Sequence, residues 1–322
     1  MIRIEKYTSE HKNLWNDFVK KSNNGTFLFD RNFMEYHKDR FVDFSLLCFK
    51  GTKLVAVLPA NIVGNTLFSH QGLSYGGLLV LSSLKNTEYF NCYKSLLNYL
   101  EHQNIATIVL KTIPRIYDKS ATEIATVFLQ LIQANRTRVD SYFAIDMQNG
   151  YKPNRNRRRA LKIGSQSEIE IKEEEGLAFF WKEILTKNLQ SRFGANPTHT
   201  YDEIKLLKNT FQKEMLFYGA FQEGKMKAGV LMFVTDTVAH FQYSSGVDDR
   251  AENAALDVLF DAIIKKYKHK KFVSFGTCSE CEGTKINEGL AYWKESFGAN
   301  FYTQDFYAID VSKQHLIADY FK

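Results

Sequence analysis

Tyr142-Phe143-Ala144-Ile145-Asp146-Met147 and Phe306-Tyr307-Ala308-Ile309-Asp310-Val311 are near-copies of one another, each closing one half of the chain. Working back from the second copy, three β-rich runs cover 215–221, 226–234 and 237–243. Glu223-Gly224 and Thr235-Asp236 separate them, and both pairs are hairpin chemistry. A helical pattern over 251–267 puts Leu256, Leu259, Phe260, Ile263 and Ile264 on one face. A strand at 272–275 follows, then a helix at 287–297 stopped by Gly298, and the closing strand at 301–311. The first half repeats that order. Strands at 44–49, 54–63 and 66–69 are joined by Lys50-Gly51-Thr52 and Gly64-Asn65. A helix at 87–102, a strand at 105–110, a helix at 122–133 and a strand at 139–147 complete it. Two copies of β-β-β-α-β-α-β predict a duplicated α/β (α+β) fold, each copy a mixed, mostly antiparallel sheet flanked by helices. The expected domains are 1–149 and 214–322. Between them 150–213 is expected to be a connecting helical segment, with helices at 152–163, 176–191 and 201–211 and a strand at 168–171.

At 322 residues the chain has room for about two domains. With 44% hydrophobic residues, 14% aromatic, 24% charged, 18 Gly and 4 Pro, it is not a disordered, collagen-like or disulfide-stapled protein. The net charge of +6 is matched by one segment: Lys152, Arg155, Arg157, Arg158, Arg159 and Lys162 lie together with no acid between them. The chain therefore reads as charge-balanced with a single basic stretch, not as a globally basic nucleic-acid binder. Met1-Ile2-Arg3-Ile4-Glu5-Lys6-Tyr7 has no apolar core of a secretory signal. The longest apolar runs, 54–63 and 228–234, are shorter than the ~18 residues of a membrane span. Cys48, Cys92, Cys278 and Cys281 are too few to staple the chain. A cytoplasmic protein without a membrane span is expected.

The element order resembles the core of the GNAT acyltransferase fold, and its duplication resembles the tandem FemAB-related, or Fem-type, family. Several stretches carry the resemblance: Ser69-His70-Gln71-Gly72-Leu73-Ser74-Tyr75-Gly76-Gly77-Leu78, Lys111-Thr112-Ile113-Pro114-Arg115-Ile116-Tyr117, Pro197-Thr198-His199-Thr200-Tyr201-Asp202-Glu203-Ile204, His240-Phe241-Gln242-Tyr243, and the run from Asn287 to Ala299. The resemblance implies an N-acyltransferase that moves an acyl or aminoacyl group onto an amine acceptor, a cell-envelope or sugar-nucleotide precursor, in a cleft between the two copies. It spans two donors, acetyl-CoA or another acyl-CoA and aminoacyl-tRNA, and implies no metal. It also suggests His70 and Tyr75 as substrate contacts. Two features depart from the pattern. Neither copy has a glycine-rich phosphate loop opening its central helix, and the second has Asp248-Asp249 there, which would repel a pyrophosphate. No heptad pattern marks a coiled-coil arm.

In the GNAT fold the donor lies where the fourth and fifth strands part, here 237–245 and 272–275. Strand alternation puts His240 and Gln242 on one face and Phe241 and Tyr243 on the other. His240 and Gln242 are the first catalytic candidates and Tyr243 a substrate contact; satisfied residues under packed helices are the plainer explanation. His199 and Glu203 share a helix face as further candidates. Thr200-x-x-Glu203 is equally a capping box, which accounts for Glu203 without chemistry. Cys278-Ser279-Glu280-Cys281 has no second cysteine pair, so the thiols read as incidental. Ser279 and Glu280 follow a strand end, where α/β sheets place ligand loops. Arg157 and Arg158 are candidates for phosphate contact. The same segment supports a different class of function, a non-catalytic module holding nucleic acid or another polyanion; a solvated helix face neutralised by Glu168, Glu170, Glu173, Glu174 and Glu175 is the third reading.

Overall fold

The computed structural model describes residues 1–247 and 254–317. Asp248 and Asp249 lie outside the described residues. The chain forms a mixed α/β structure with two compact units: unit 1 is Met1–Asp140 with Thr303–Lys322, and unit 2 is Ser141–Tyr302. These units do not coincide with the expected 1–149, 150–213 and 214–322. The closing strands explain the difference. In strand Asn135–Asp146, residues 142–146 pair antiparallel with strand Phe272–Thr277 of the second half. In strand Asn300–Asp310, residues 306–310 pair with strand Thr107–Lys111 of the first half. The near-copies are thus exchanged, each completing the sheet of the other half. Residues 150–213, expected to be a connector, belong to unit 2.

Within unit 1, strand Thr66–Phe68 runs parallel to Thr107–Lys111 and antiparallel to Asn61–Val63. A second, antiparallel sheet orders Ile2–Lys6, Leu46–Lys50, Lys53–Leu58 and Leu79–Val80. The single strand expected at 54–63 is therefore two, broken at Pro59, which cannot donate to a ladder. Helix Asn86–His102 buries Tyr89, Phe90, Tyr93, Leu96, Leu97 and Leu100, the three-to-four spacing of an inward stripe.

In unit 2 the order is Glu170–Glu173, Met215–Gln222, Lys225–Val234, Val238–Gly246, Phe272–Thr277 and the 142–146 segment. All neighbours are antiparallel except Val238–Gly246 with Phe272–Thr277. One sheet face packs on helix Ala255–Lys266, where Phe260 stacks on Phe241 with ring centroids 3.9 Å apart. The other face carries the segment Leu177–Phe193, whose middle turn, Phe180–Leu185, is a π-helix. Its close approach depends on Gly229, because a Cβ there would lie 2.3 Å from the Phe180 ring.

Candidate functional site

The geometry of unit 2 centres on the one parallel strand pair. Its pairing covers Val238↔Phe272, Ala239↔Val273 and His240↔Ser274 and then stops, although the strands run on to Gly246 and Thr277. Beyond His240 the first strand stays paired only on its other side, to Lys225–Val234. There Leu231 faces Tyr243 and Met232 faces Phe241, so Gln242 is an extra residue without a cross-strand partner. Such a bulge bends its strand and re-aims the side chains after it. Strict alternation would have put Tyr243 beside Phe241; the bulge puts it on the face of His240, because their partners Leu231 and Phe233 share a face. Those two partners are two residues apart, or about 7 Å along a strand.

Two groups of polar side chains occupy this face. In the first, His240 Nδ1 lies 3.0 Å from Ser274 Oγ and 3.5 Å from Tyr142 Oη, with the Tyr142 ring stacked alongside. Burial, with a smaller contribution from the charge of Lys294, lowers the His240 pKa to about 3. The imidazole is neutral at physiological pH. Lys294, itself buried, donates to the carbonyls of Gly276 at 3.2 Å and Thr277 at 2.7 Å, and so braces the strand end beside His240. Gly276 has φ +70°, and a Cβ there would come within 3.2 Å of the His240 ring. In the second group, Tyr243 Oη and His199 Nδ1 are 2.7 Å apart, and Trp181 from the π-helix packs edge-on against the Tyr243 ring at 4.8 Å. Burial raises the Tyr243 pKa, opposed by hydrogen bonds from the His199 backbone and the Thr198 and Gln242 side chains. The phenol is therefore protonated at neutral pH. Asn188 ties the far end of the strand to this helix, donating to Ser245 Oγ at 2.7 Å and to the Gly246 carbonyl at 2.8 Å.

His199, Gln242 and Tyr243 thus belong to one of these groups in unit 2 and His240 to the other. Of the other sequence candidates, all but Arg158 are engaged elsewhere. Glu203 closes the capping box, accepting from the Thr200 N–H at 2.7 Å while its own N–H donates to Thr200 Oγ1. Arg157 is buried, ion-paired with Asp257 and bonded to Ser296 Oγ at 3.0 Å, so it ties its own helix to two others instead of meeting solvent phosphate. Arg158 is exposed. Ser279 Oγ accepts from the Ser141 N–H, and Glu280 accepts from Asn287. Among the described residues no cluster of three or more His, Cys, Asp or Glu could hold a metal.

His70 and Tyr75 belong to unit 1 and do another job. The place in unit 1 that corresponds to the strand separation is filled. Parallel pairing ends at Phe68↔Val109, but the chain continues the hydrogen bonding: Ser69 N–H to the Val109 carbonyl (2.9 Å), Lys111 N–H to Ser69 Oγ (2.9 Å) and Gly76 N–H to the Lys111 carbonyl (2.7 Å). Lys111 Nζ donates to the Leu73 carbonyl within the same plug. His70 turns the corner with φ +71°, and burial lowers its pKa to about 3. Tyr75 is buried against Phe29 and Tyr117, its hydroxyl donating to Thr26. Sequence reading missed Tyr142, Trp181, Asn188, Ser274 and Lys294. Of these only Lys294 stood inside a stretch that carried the family resemblance.

No family model and no curated protein matches the chain. Solved structures do. The crystal structure of FemX superposes with a TM-score of 0.68 at 10% identity, covering 98% of this chain and 99% of that one. The C-terminal domain of a putative lysylphosphatidylglycerol synthetase from Agrobacterium fabrum matches at 0.58 and 10%, covering 97% and 96%. A tandem GNAT protein from the clavulanic acid biosynthesis pathway matches at 0.53 and 7%, covering 97% and 99%. At these identities the likeness is one of fold: the chain has the tandem GNAT-like fold of the Fem type. No helix among the described residues is long and apolar enough to cross a membrane.

Proposed function

We propose that the protein is an acyltransferase that moves an acyl or aminoacyl group onto a small-molecule amine, with the chemistry in unit 2 where strands Val238–Gly246 and Phe272–Thr277 part. The observation that carries this reading is the end of pairing at His240–Ser274 followed by the Gln242 bulge. A bulge leaves backbone N–H groups without ladder partners beside the gap. Fixed donors of that kind stabilise the oxyanion that develops on an acyl carbonyl, and losing one costs about 10²–10³ in rate in acyl-transfer enzymes.

In this scheme the amine nitrogen attacks the carbonyl carbon, the carbonyl oxygen takes up the negative charge facing the bulge, and the bond to the leaving sulfur or oxygen breaks. The leaving atom takes a proton from the Tyr243 hydroxyl, kept protonated by burial, and the tyrosinate regains one from solvent by relay through His199 at 2.7 Å. The attacking amine gives up its extra proton to solvent. With a pKa of about 3, His240 is too weak a base for that step at neutral pH and serves to position the strand end through Ser274. The filled corner of unit 1 supports placing the reaction in unit 2 alone.

Both a thioester donor such as acetyl-CoA and an ester donor such as aminoacyl-tRNA are compatible with this chemistry, and FemX and the tandem GNAT protein share the fold. The test is transfer from each donor to a panel of primary amines, comparing wild type with Tyr243→Phe. The phenylalanine keeps the contact with Trp181 and loses the proton. We expect at least a hundredfold lower transfer with an unchanged melting temperature. Undiminished transfer in the variant removes Tyr243 from the mechanism; no transfer from either donor by wild type removes the activity.

A further inference from the structure

Helix Arg155–Gly164 carries Arg155, Arg158, Arg159 and Lys162 at positions i, i+3, i+4 and i+7, all exposed and all on one face. Its first turn contains no acid, so arginines stand at the positive end of the helix dipole, and the 155/159 and 158/162 pairs repel. Neutralisation by the acidic run that follows is the plain explanation, and the structure removes it. Glu173 pairs with Lys266, Glu174 with Lys208, and Glu170 and Glu175 with Lys172, while Glu168 makes no ion pair with the helix. On the helix packed beneath, Asp257 is taken by Arg157 and Trp293, and Asp261 by Tyr151 and Lys265. Among the described residues none of the four cations has an ion-pair partner. A face assembled against its own electrostatics and left unneutralised by the described residues calls for an external anion.

From this face we infer that unit 2 docks on an anionic phospholipid surface. Charge complementarity argues for a polyanion, and Ile163 argues for lipid. Ile163 lies four residues from Arg159 on the same face and is 48% exposed. An aliphatic side chain among cations suits the boundary between headgroups and acyl chains. RNA-binding surfaces interleave cations with free aromatic platforms for base stacking. Here the cationic face of the helix has no aromatic residue. Each exposed cation near an anionic leaflet strengthens binding by about fivefold, so four give a few hundredfold.

The experiment is co-sedimentation of the full chain with phosphatidylcholine vesicles, with vesicles containing about one third phosphatidylserine, and with single-stranded RNA as competitor. The quadruple variant Arg155→Gln, Arg158→Gln, Arg159→Gln, Lys162→Gln keeps the buried Arg157–Asp257 pair, and circular dichroism checks its fold. Wild type is expected to bind only the anionic vesicles, more weakly as salt rises. The quadruple variant should lose at least a hundredfold in affinity, and Ile163→Ser several-fold. Binding that ignores vesicle charge, survives the quadruple change, or yields to RNA at equal phosphate concentration overturns the inference, as does no vesicle binding. If the quadruple variant misfolds, adding 0.5 M salt to wild type decides: retained binding overturns the inference, and loss supports it.

Discussion

His70 and His240 are buried imidazoles, one in each unit, both with pKa lowered to about 3 chiefly by desolvation. In the unfolded chain each titrates near 6.5, so as pH falls through that value the unfolded state binds protons that the folded state refuses. Their stabilisation is therefore complete above about pH 6.5 and is lost progressively toward pH 3. Each contributes a slope of about 1.4 kcal/mol per pH unit in that window. Urea unfolding at pH 7, 6 and 5 should give falling stability, and His70→Gln should remove about one histidine's share of the slope. A wild-type profile flat between pH 7 and 5 contradicts the burial argument. Sequence could nominate these histidines and could not assign their roles. His240 and His199 are both histidines in resembling stretches, yet one is neutral and walled in by Tyr142 and Ser274 while the other is paired with a phenol. Contacts made by residues a hundred positions away, such as Tyr142 on His240, set that difference.

The bulge at Gln242 is the element on which the site turns. Sequence made strands and helices legible because turns such as Glu223-Gly224 and stripes such as Leu259, Phe260, Ile263 and Ile264 are local signals. The bulge left no such signal, since His240-Phe241-Gln242-Tyr243 reads as ordinary alternation and only the pairing with Leu231 and Met232 exposes the extra residue. Deleting Gln242 should restore regular pairing, leaving Tyr243 opposite Leu231 on the face of His240 and removing the unpaired backbone that the bulge presents beside the gap. Transfer is expected to fall at least a hundredfold. Gln242→Ala keeps the extra residue and should fall less than tenfold. Equal losses in the two variants would assign the effect to the Gln242 side chain and not to the backbone.

At the scale of the whole molecule, duplication was readable and the exchange of closing strands was not. The six-residue stretches at Tyr142 and Phe306 have nearly the same aromatic and aliphatic pattern, so either can complete either sheet, and composition cannot choose between them. The exchange makes unit 1 depend on the end of the chain: Ile309, Val311 and Ile317 lie in its core. Removing residues 303–322 should cost several kcal/mol, as truncations of buried aliphatic groups do. Hydrogen exchange should then show amides of Thr107–Lys111 unprotected and those of Phe272–Thr277 still protected; the reverse pattern contradicts the exchange. The central claim is that the acyl donor sits at the parted strands of unit 2, and it is tested most directly by backbone amide NMR of the full chain titrated with non-transferable analogues, a thioether analogue of acetyl-CoA and an amide-linked aminoacyl RNA. With the analogue that binds, the largest shifts are predicted at 240–246 and 274–277. Largest shifts at 66–76 and 109–112 of unit 1 would contradict it.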